Sequence, residues 1–225
     1  MKFGGFQKTS LIDFPNKISS VLFTLGCNLR CPFCYNGRLI IDPKPPFLSE
    51  EDALKILRSR KKYVDAVVIT GGEPTLNSDL PDFVQRLKNE GFAVKLDTNG
   101  FLPDVLEKCL PSLDYVALDF KTSLEKYRLL GAANTKNLLR TIELLKNGNV
   151  DYELRNTVVP LIVTEDDVPK MGETVRGIKR FVFQQFNPSE ALDEKFRSLK
   201  PYPPEVIKSF GRTMEKYVDE VILRI

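Results

Sequence analysis

Short apolar runs alternate with helix-like stretches along almost the whole of the 225-residue chain. The run Val67-Val68-Ile69 has no polar position within it, which is typical of a strand covered on both faces. We therefore predict six strands with five helices between them. The predicted strands are residues 19–25, 65–70, 93–98, 115–120, 152–159 and 180–186, and the predicted helices are residues 49–61, 78–90, 103–110, 135–147 and 165–176.

Strands that alternate with helices form parallel βα units with right-handed crossovers. The regular spacing favours a barrel, although six units are too few for a closed eight-stranded one. The predicted fold class is therefore α/β, a partial (β/α)6 TIM-like barrel of parallel strands, with a doubly wound open sheet as the alternative. One domain is expected over residues 1–225, with a core at about 18–187 and a final helix and strand at about 203–225.

The composition argues against some classes of partner but does not identify the function. The chain is 42% hydrophobic and 28% charged, as ordinary globular proteins are. Its net charge of +3, from 33 basic and 30 acidic residues, is too small to indicate a nucleic acid or an anionic membrane as a partner. The sequence shows neither an apolar stretch of membrane-spanning length nor a leader, so a cytoplasmic location is expected.

Three of the four cysteines, Cys27, Cys31 and Cys34, lie within eight residues in a C-x3-C-x2-C run. A [4Fe–4S] cluster normally takes four thiolates, so three would leave one iron open to a small molecule. Structural zinc needs four ligands, and this chain has no histidine and no second C-x2-C pair. A disulfide cannot pair all three. The run therefore favours an iron–sulfur cluster, and Cys109, near the end of a predicted helix, is expected to be a buried thiol.

Polar motifs follow the carboxyl ends of all six predicted strands, which is where parallel α/β folds place their sites. The Gly-Gly-Glu-Pro turn at 71–74 allows the backbone to approach a ligand closely. Asp119 and Lys121 share one face of a strand and, if buried, need to pair with each other or with a charged ligand such as a zwitterionic amino acid. Each feature also has a simpler interpretation, as a tight turn or a structural salt bridge. The remaining motifs are Asp97-Thr98-Asn99-Gly100, Arg155 with Val158-Val159-Pro160, and Gln184-Gln185.

The cysteine run after the first strand, joined to the 71–74 turn after the second, resembles the radical S-adenosylmethionine (SAM) superfamily. Within it, the motifs Cys34-Tyr35-Asn36, Asp97-Thr98-Asn99-Gly100 and Asp119-Phe120-Lys121 resemble the glycyl-radical-enzyme activases. The opening segment, residues 5–15 (Gly-Phe-Gln-Lys-Thr-Ser-Leu-Ile-Asp-Phe-Pro), is similar to the activating proteins of anaerobic ribonucleoside-triphosphate reductase. The resemblance covers about the first three quarters of the chain.

This resemblance implies an enzyme, a radical SAM oxidoreductase that holds a [4Fe–4S] cluster and SAM. One electron from the cluster would cleave SAM to methionine and a 5′-deoxyadenosyl radical, which would take a hydrogen from a glycine of a partner glycyl radical enzyme. Anaerobic ribonucleotide reductase is the favoured partner, and flavodoxin or ferredoxin the expected electron donor. The alternatives are pyruvate formate-lyase or another glycyl radical enzyme as partner, a small-molecule substrate and, outside the enzymes, a metal-binding regulatory module.

The resemblance also assigns roles to residues. Cys27, Cys31 and Cys34 would bind three irons of the cluster. Gly71, Gly72 and Glu73 would hold the amino group of SAM, and Lys121 would lie near its carboxylate. The resemblance assigns the SAM pocket or a monovalent-cation site to Asp97, Thr98 and Asp119, and the nucleoside end to Arg155 and Val158. It also implies Tyr35 near the adenine with Asn36 beside it, and Gln184 in place of a histidine that related activases often carry and this chain lacks.

Overall fold

The apolar runs become strands of one sheet in the computed structural model, which describes residues 1–225. The strands are β1 (Lys2–Ser10), β2 (Ser19–Thr24), β3 (Leu48–Ser49), β4 (Ala66–Gly71), β5 (Ala93–Thr98), β6 (Tyr115–Asp119), β7 (Asp151–Val158), β8 (Arg180–Gln185) and β9 (Glu220–Arg224). The helices are α1 (Gly37–Ile40), α2 (Glu50–Arg60), α3 (Leu80–Asn89), α4 (Pro103–Cys109), α5 (Lys136–Asn147), α6 (Asp167–Thr174), α7 (Glu194–Arg197) and α8 (Pro204–Met214). No helix combines the length and the apolar character that crossing a membrane requires.

The sheet has the order β3-β1-β2-β4-β5-β6-β7-β8-β9, and the seven strands from β2 onward in this order are parallel to one another. Its two edges are β3 and β9, so the barrel does not close. The predicted fold class, α/β with a partial barrel of parallel strands, is confirmed. The six predicted strands and five predicted helices are all present, with ends that differ by at most two residues.

The hydrophobic pattern of the sequence does not predict the first strand, β1. β1 has two adjacent glycines, Gly4 and Gly5, and no apolar run, so its own strand propensity is low. It becomes a strand because β2 offers a free edge, along which β1 pairs antiparallel from Phe3 opposite Thr24 to Ser10 opposite Ser19. Pairing with a neighbour therefore decides this element, and β1 in turn covers an edge that would otherwise be exposed.

Apolar side chains form two separate clusters. The larger one, of 48 buried residues, joins the helices to the outer face of the sheet. The smaller one consists of Phe14, Val21, Ala66, Val68 and Tyr115 and lies on the inner face towards the amino ends of the strands. Phe14 reaches it from the loop that precedes β2, and its ring packs 6.0 Å from that of Tyr115. The cluster packs the amino end of the barrel beside one buried carboxylate, Glu153, which accepts hydrogen bonds from the Tyr115 hydroxyl at 3.1 Å and from Arg224 at 2.8 Å.

The first two parallel strands are held in close backbone contact where they end. A Cβ atom at Gly72 would lie 1.8 Å from the carbonyl oxygen of Gly26, the residue before Cys27. Gly72→Ala is therefore expected to lower the free energy of unfolding by about 1–3 kcal/mol, as overpacked sites do. Thermal unfolding of the metal-free protein measures this. Gly5→Ala is the matched control, because its nearest contact is the movable ring of Phe23 at 3.3 Å; equal losses for the two variants would contradict the close-approach argument.

Candidate functional site

One cavity of about 380 Å³ lies at the carboxyl ends of the parallel strands. Its walls contain every residue to which the resemblance assigned a role, except Val158. The cavity therefore brings together the motifs that follow six different strands. The nominated residues that line it are Cys27, Cys31, Cys34, Tyr35, Asn36, Gly71, Gly72, Glu73, Asp97, Thr98, Asp119, Lys121, Arg155 and Gln184.

The structure places Val158 elsewhere. Its side chain is fully buried in the outer cluster, among the residues that join the sheet to the helices. Successive side chains of a strand point to opposite faces, so Arg155 and Thr157 share the inner face of β7 and Val158 does not. Thr157 lines the cavity instead, where its hydroxyl accepts a hydrogen bond of 2.8 Å from the amide of Gln184. The two-residue spacing between Arg155 and Thr157 could have predicted that Thr157 faces the cavity.

The three nominated cysteines are free thiols on the wall of this cavity. Burial raises the pKa of all three, to about 12 for Cys31, against the opposing charge of Lys121. Since a thiol binds iron as the thiolate, metal cations must supply the charge that stabilises the sulfur here. The three sulfurs share one cavity, and three thiolates are the ligands that a [4Fe–4S] cluster with one open iron would take.

The fourth cysteine is separate from this group. Cys109 ends α4 and is fully buried in the outer cluster, as the sequence predicted. Burial alone raises the pKa of its thiol to about 12. It is absent from the cavity wall, so it offers no fourth ligand there.

The carboxylate of Glu73 is bonded within the protein. The side chain is 1% exposed, and its oxygens accept hydrogen bonds from the Thr98 hydroxyl and the Asn99 backbone N–H, both at 2.7 Å, and from the Thr75 backbone N–H at 3.1 Å. Burial raises the pKa of Glu73 despite these donors. Its carboxylate thus joins the turn after β4 to the turn after β5. Three donors, the Thr75 hydroxyl among them, share Oε1 and only one reaches Oε2, so the expectation that Glu73 helps to hold a ligand amine stays a prediction.

Five alternating charges cross the inner face of the sheet, and we call them the inner ion-pair chain. The Arg155 guanidinium lies at its centre, 3.2 Å from Asp97 and 2.8 Å from Asp119. Lys95 pairs with Asp97 at 2.5 Å, and Lys121 with Asp119 at 3.2 Å. Lys95 was not among the predicted site residues. It is 2% exposed and lies two positions before Asp97 on the same face of the strand. Three cations face two carboxylates, so the chain carries one positive charge in excess.

This arrangement sets the protonation of its members. Burial works to raise the pKa of Asp119, but the charges of Arg155 and Lys121 outweigh it and hold that pKa at about 2. The pKa of Asp97 is lowered in the same way by Lys95 and Arg155, again against burial. For Lys121, burial works to lower the pKa, but the negative charge of Asp119 prevails and raises it. Both carboxylates, Lys121 and Arg155 are therefore charged at neutral pH.

A pH dependence of stability follows from the depressed pKa of Asp119. Above the usual pKa of 3.8, the ionised carboxylate contributes its full stabilisation of the folded state, about 2 kcal/mol. This contribution is lost as the pH falls through about 2. Urea unfolding of the metal-free protein is therefore expected to show the wild type and Asp119→Asn approaching each other in stability between pH 4 and pH 2.

The matched control for this experiment is Asp104→Asn. Asp104 pairs with Arg140 on the exposed surface, where an ion pair contributes little. Its small difference from the wild type is expected to stay nearly constant over the same pH range. If the difference in stability between Asp119→Asn and the wild type also stayed constant with pH, the ionised Asp119 carboxylate would not stabilise the folded state.

Comparison with known proteins agrees with this geometry. Residues 21–175 match the family model described as the Radical SAM superfamily. A Methanocaldococcus jannaschii protein, provisionally named a glycyl-radical enzyme activating enzyme, is 37% identical over 98% of this chain and 94% of its own length. The pyruvate formate-lyase 1-activating enzyme of Escherichia coli K12 is 26% identical over 96% of each chain. The structure of Streptococcus suis SuiB shares the fold, with a TM-score of 0.67 at 16% identity over 91% of this chain and 48% of that one.

The family match includes the cysteine run, both glycine-containing turns and the inner ion-pair chain. The archaeal relative extends the similarity to nearly the whole chain. The chain belongs to the radical SAM superfamily and, within it, to the glycyl-radical-enzyme activating enzymes.

Proposed function

We propose that this chain generates the glycyl radical of an anaerobic ribonucleoside-triphosphate reductase. Its reaction class follows from its family, and the partner is the proposed part. The observation that carries the reaction is the cavity itself, in which three thiols share the wall with Asp119, Lys121 and Arg155 at the carboxyl ends of the strands. The opening segment, residues 5–15, supports this partner through its similarity to the corresponding activating proteins.

The residues of the cavity fit the two groups that the family implies. Cys27, Cys31 and Cys34 would hold three irons of a [4Fe–4S] cluster. The excess positive charge of the inner ion-pair chain would balance the carboxylate of SAM, with Lys121 the cation next to the thiols. When bound, the reduced cluster supplies an electron and SAM supplies the group that abstracts hydrogen from the partner's glycine. The chain's own work is to bind and orient both groups.

Individual side chains have defined parts in that binding. Lys121 uses one hydrogen bond on Asp119 and has donors left for a carboxylate. The amide of Gln184 donates to Thr157, which leaves its oxygen free to accept from a ribose hydroxyl. Tyr35, about half exposed at the cavity, would stack on the adenine, and the Asn36 amide donates to the carbonyl of Gly71 at 2.7 Å. The amino group of SAM would meet Gly71, Gly72 and Glu73 of the turn after β4.

Four further expectations belong to this proposal. A monovalent cation at Asp97, Thr98 and Asp119 would have to share both carboxylates with Arg155, and the Thr98 hydroxyl is already bonded to Glu73. The reductant would be a flavodoxin or a ferredoxin, and the protein would work in the cytoplasm. We also propose that residues 1–225 form one domain, which the single nine-stranded sheet supports.

Cys31→Ala is expected to abolish the cluster and all SAM cleavage, because two thiolates cannot hold a cubane in place. The measurement is iron and sulfide content after anaerobic reconstitution, together with 5′-deoxyadenosine formed under dithionite. Cys109→Ala is the matched control: it removes a thiol of the same raised pKa that lies outside the cavity, so cluster content is expected to stay at the wild-type level. A normal cluster in Cys31→Ala would contradict the ligand assignment.

The partner is tested with reconstituted, reduced protein and SAM, incubated separately with anaerobic ribonucleotide reductase and with pyruvate formate-lyase. We expect a glycyl-radical EPR doublet on the reductase together with 5′-deoxyadenosine. A doublet on the lyase alone would favour the second candidate, which the full-length similarity to pyruvate formate-lyase activating enzymes supports. SAM cleavage with neither doublet would favour another substrate, and no cleavage by a fully loaded cluster would favour the regulatory metal module.

A further inference from the structure

The amide of Asn99 is fixed against the first cysteine of the cavity. Asn99 follows β5 and is 4% exposed. Its Nδ2 atom lies 3.7 Å from the sulfur of Cys27 and 2.7 Å from the Asn28 side-chain oxygen, so each of its two hydrogens has one acceptor. Its Oδ1 atom accepts from the Phe101 backbone N–H at 3.1 Å, which determines which end of the amide faces the sulfur.

A second buried residue holds this amide in place. The backbone N–H of Asn99 donates to the Glu73 carboxylate at 2.7 Å, and that carboxylate is itself held by three other donors from Thr75 and Thr98. The turn after β5 is therefore tied to the turn after β4. Because the backbone at Asn99 cannot shift without breaking a fully buried network, the direction of its side chain is set by the fold.

Cys27 differs from the other two cysteines in its donors. Its sulfur accepts from the backbone N–H of Leu29 at 3.4 Å and from the Asn99 side chain, and it is the only one of the three with a side-chain donor. Cys34 receives a backbone N–H from Asn36. Cys31 has its burial and the nearby charge of Lys121. The hydrogen-bond donors around the predicted cluster are thus concentrated on the side of Cys27.

We propose that Asn99 is a positioning residue that donates a hydrogen bond to the Cys27 thiolate of the loaded centre and raises the reduction potential of its cluster. This inference rests on the proposed cluster. Hydrogen bonds to cluster sulfurs are among the factors that set the potential. A reduced cluster carries one more negative charge than an oxidised one, so an N–H donor stabilises the reduced form more. The effect helps a donor of limited reducing strength to deliver its electron.

The test is a potentiometric titration of the reconstituted protein with dithionite, followed by the EPR signal of the reduced cluster, without SAM or partner. Asn99→Leu keeps the size of the side chain and removes its donors. We expect a midpoint potential lower by about 59 mV, a tenfold change in the ratio of reduced to oxidised cluster for a one-electron couple. Iron and sulfide content should stay as in the wild type.

The matched control is Asn137→Leu. The Asn137 amide donates to the Phe101 carbonyl at 3.0 Å, so it braces the same turn without touching a cysteine. We expect its potential to equal that of the wild type. An unchanged potential in Asn99→Leu, or an equal shift in both variants, would overturn the inference. A wild type that binds no cluster would instead overturn the proposed function, so the two failures are distinguishable.

A second measurement covers the case in which Asn99→Leu fails to hold a cluster. Wild-type protein labelled with 15N in its asparagine side chains is reduced and studied by pulsed EPR for a weak 15N coupling to the cluster. We expect a coupling that disappears in Asn99→Asp, which keeps the acceptor for Phe101 and lacks the donor. Absence of the coupling in the wild type, or its persistence in Asn99→Asp, would overturn the inference.

Discussion

The Arg155 guanidinium bridges Asp97 and Asp119 on the inner face of the sheet, and the polar half of the barrel is organised around this bridge. Removing one member of such a buried pair typically costs about 3–5 kcal/mol, because the partner charge is left uncompensated. The bridge joins β7 to the ends of β5 and β6. Lys95 and Lys121 extend it at either end, so the position of one charge depends on the next. Four members of this chain, Asp97, Asp119, Lys121 and Arg155, line the cavity.

The barrel interior is closely packed at its amino end and open at its carboxyl end. Phe14, Val21 and Val68 fill the amino end with apolar contacts and help to hold the strands together. The carboxyl end is polar and open, which is where a charged ligand can offset the cost of burying ions. The inner face changes along some strands and not along others: on β6, Tyr115 and Ala117 precede the charged Asp119, whereas on β7 the charged Glu153 precedes Arg155.

Two buried hydrogen-bonding groups connect the loops around the cavity. Glu73 ties the turn after β4 to the turn after β5, and Asn99 ties the latter to the cysteine loop. Close backbone packing at Gly72 fixes the same loop from the other side. These contacts join residues that are up to about 70 positions apart in the chain. They explain how a loop that carries three thiols can be held in one place before any metal binds.

The sequence by itself determined the alternation of strands and helices, the cysteine run and the polar motifs at the strand ends, because each is written in residue type and local spacing. It also placed Asp119 and Lys121 on one face, since the strand period is two. Only the tertiary structure decided that β1 would form on the free edge of β2, that Thr157 and not Val158 faces the cavity, and that Glu73 binds its own chain. It likewise revealed Lys95 and the contact of Asn99 with Cys27. These outcomes depend on strand register and on distances between residues far apart in the chain, and local spacing contains neither.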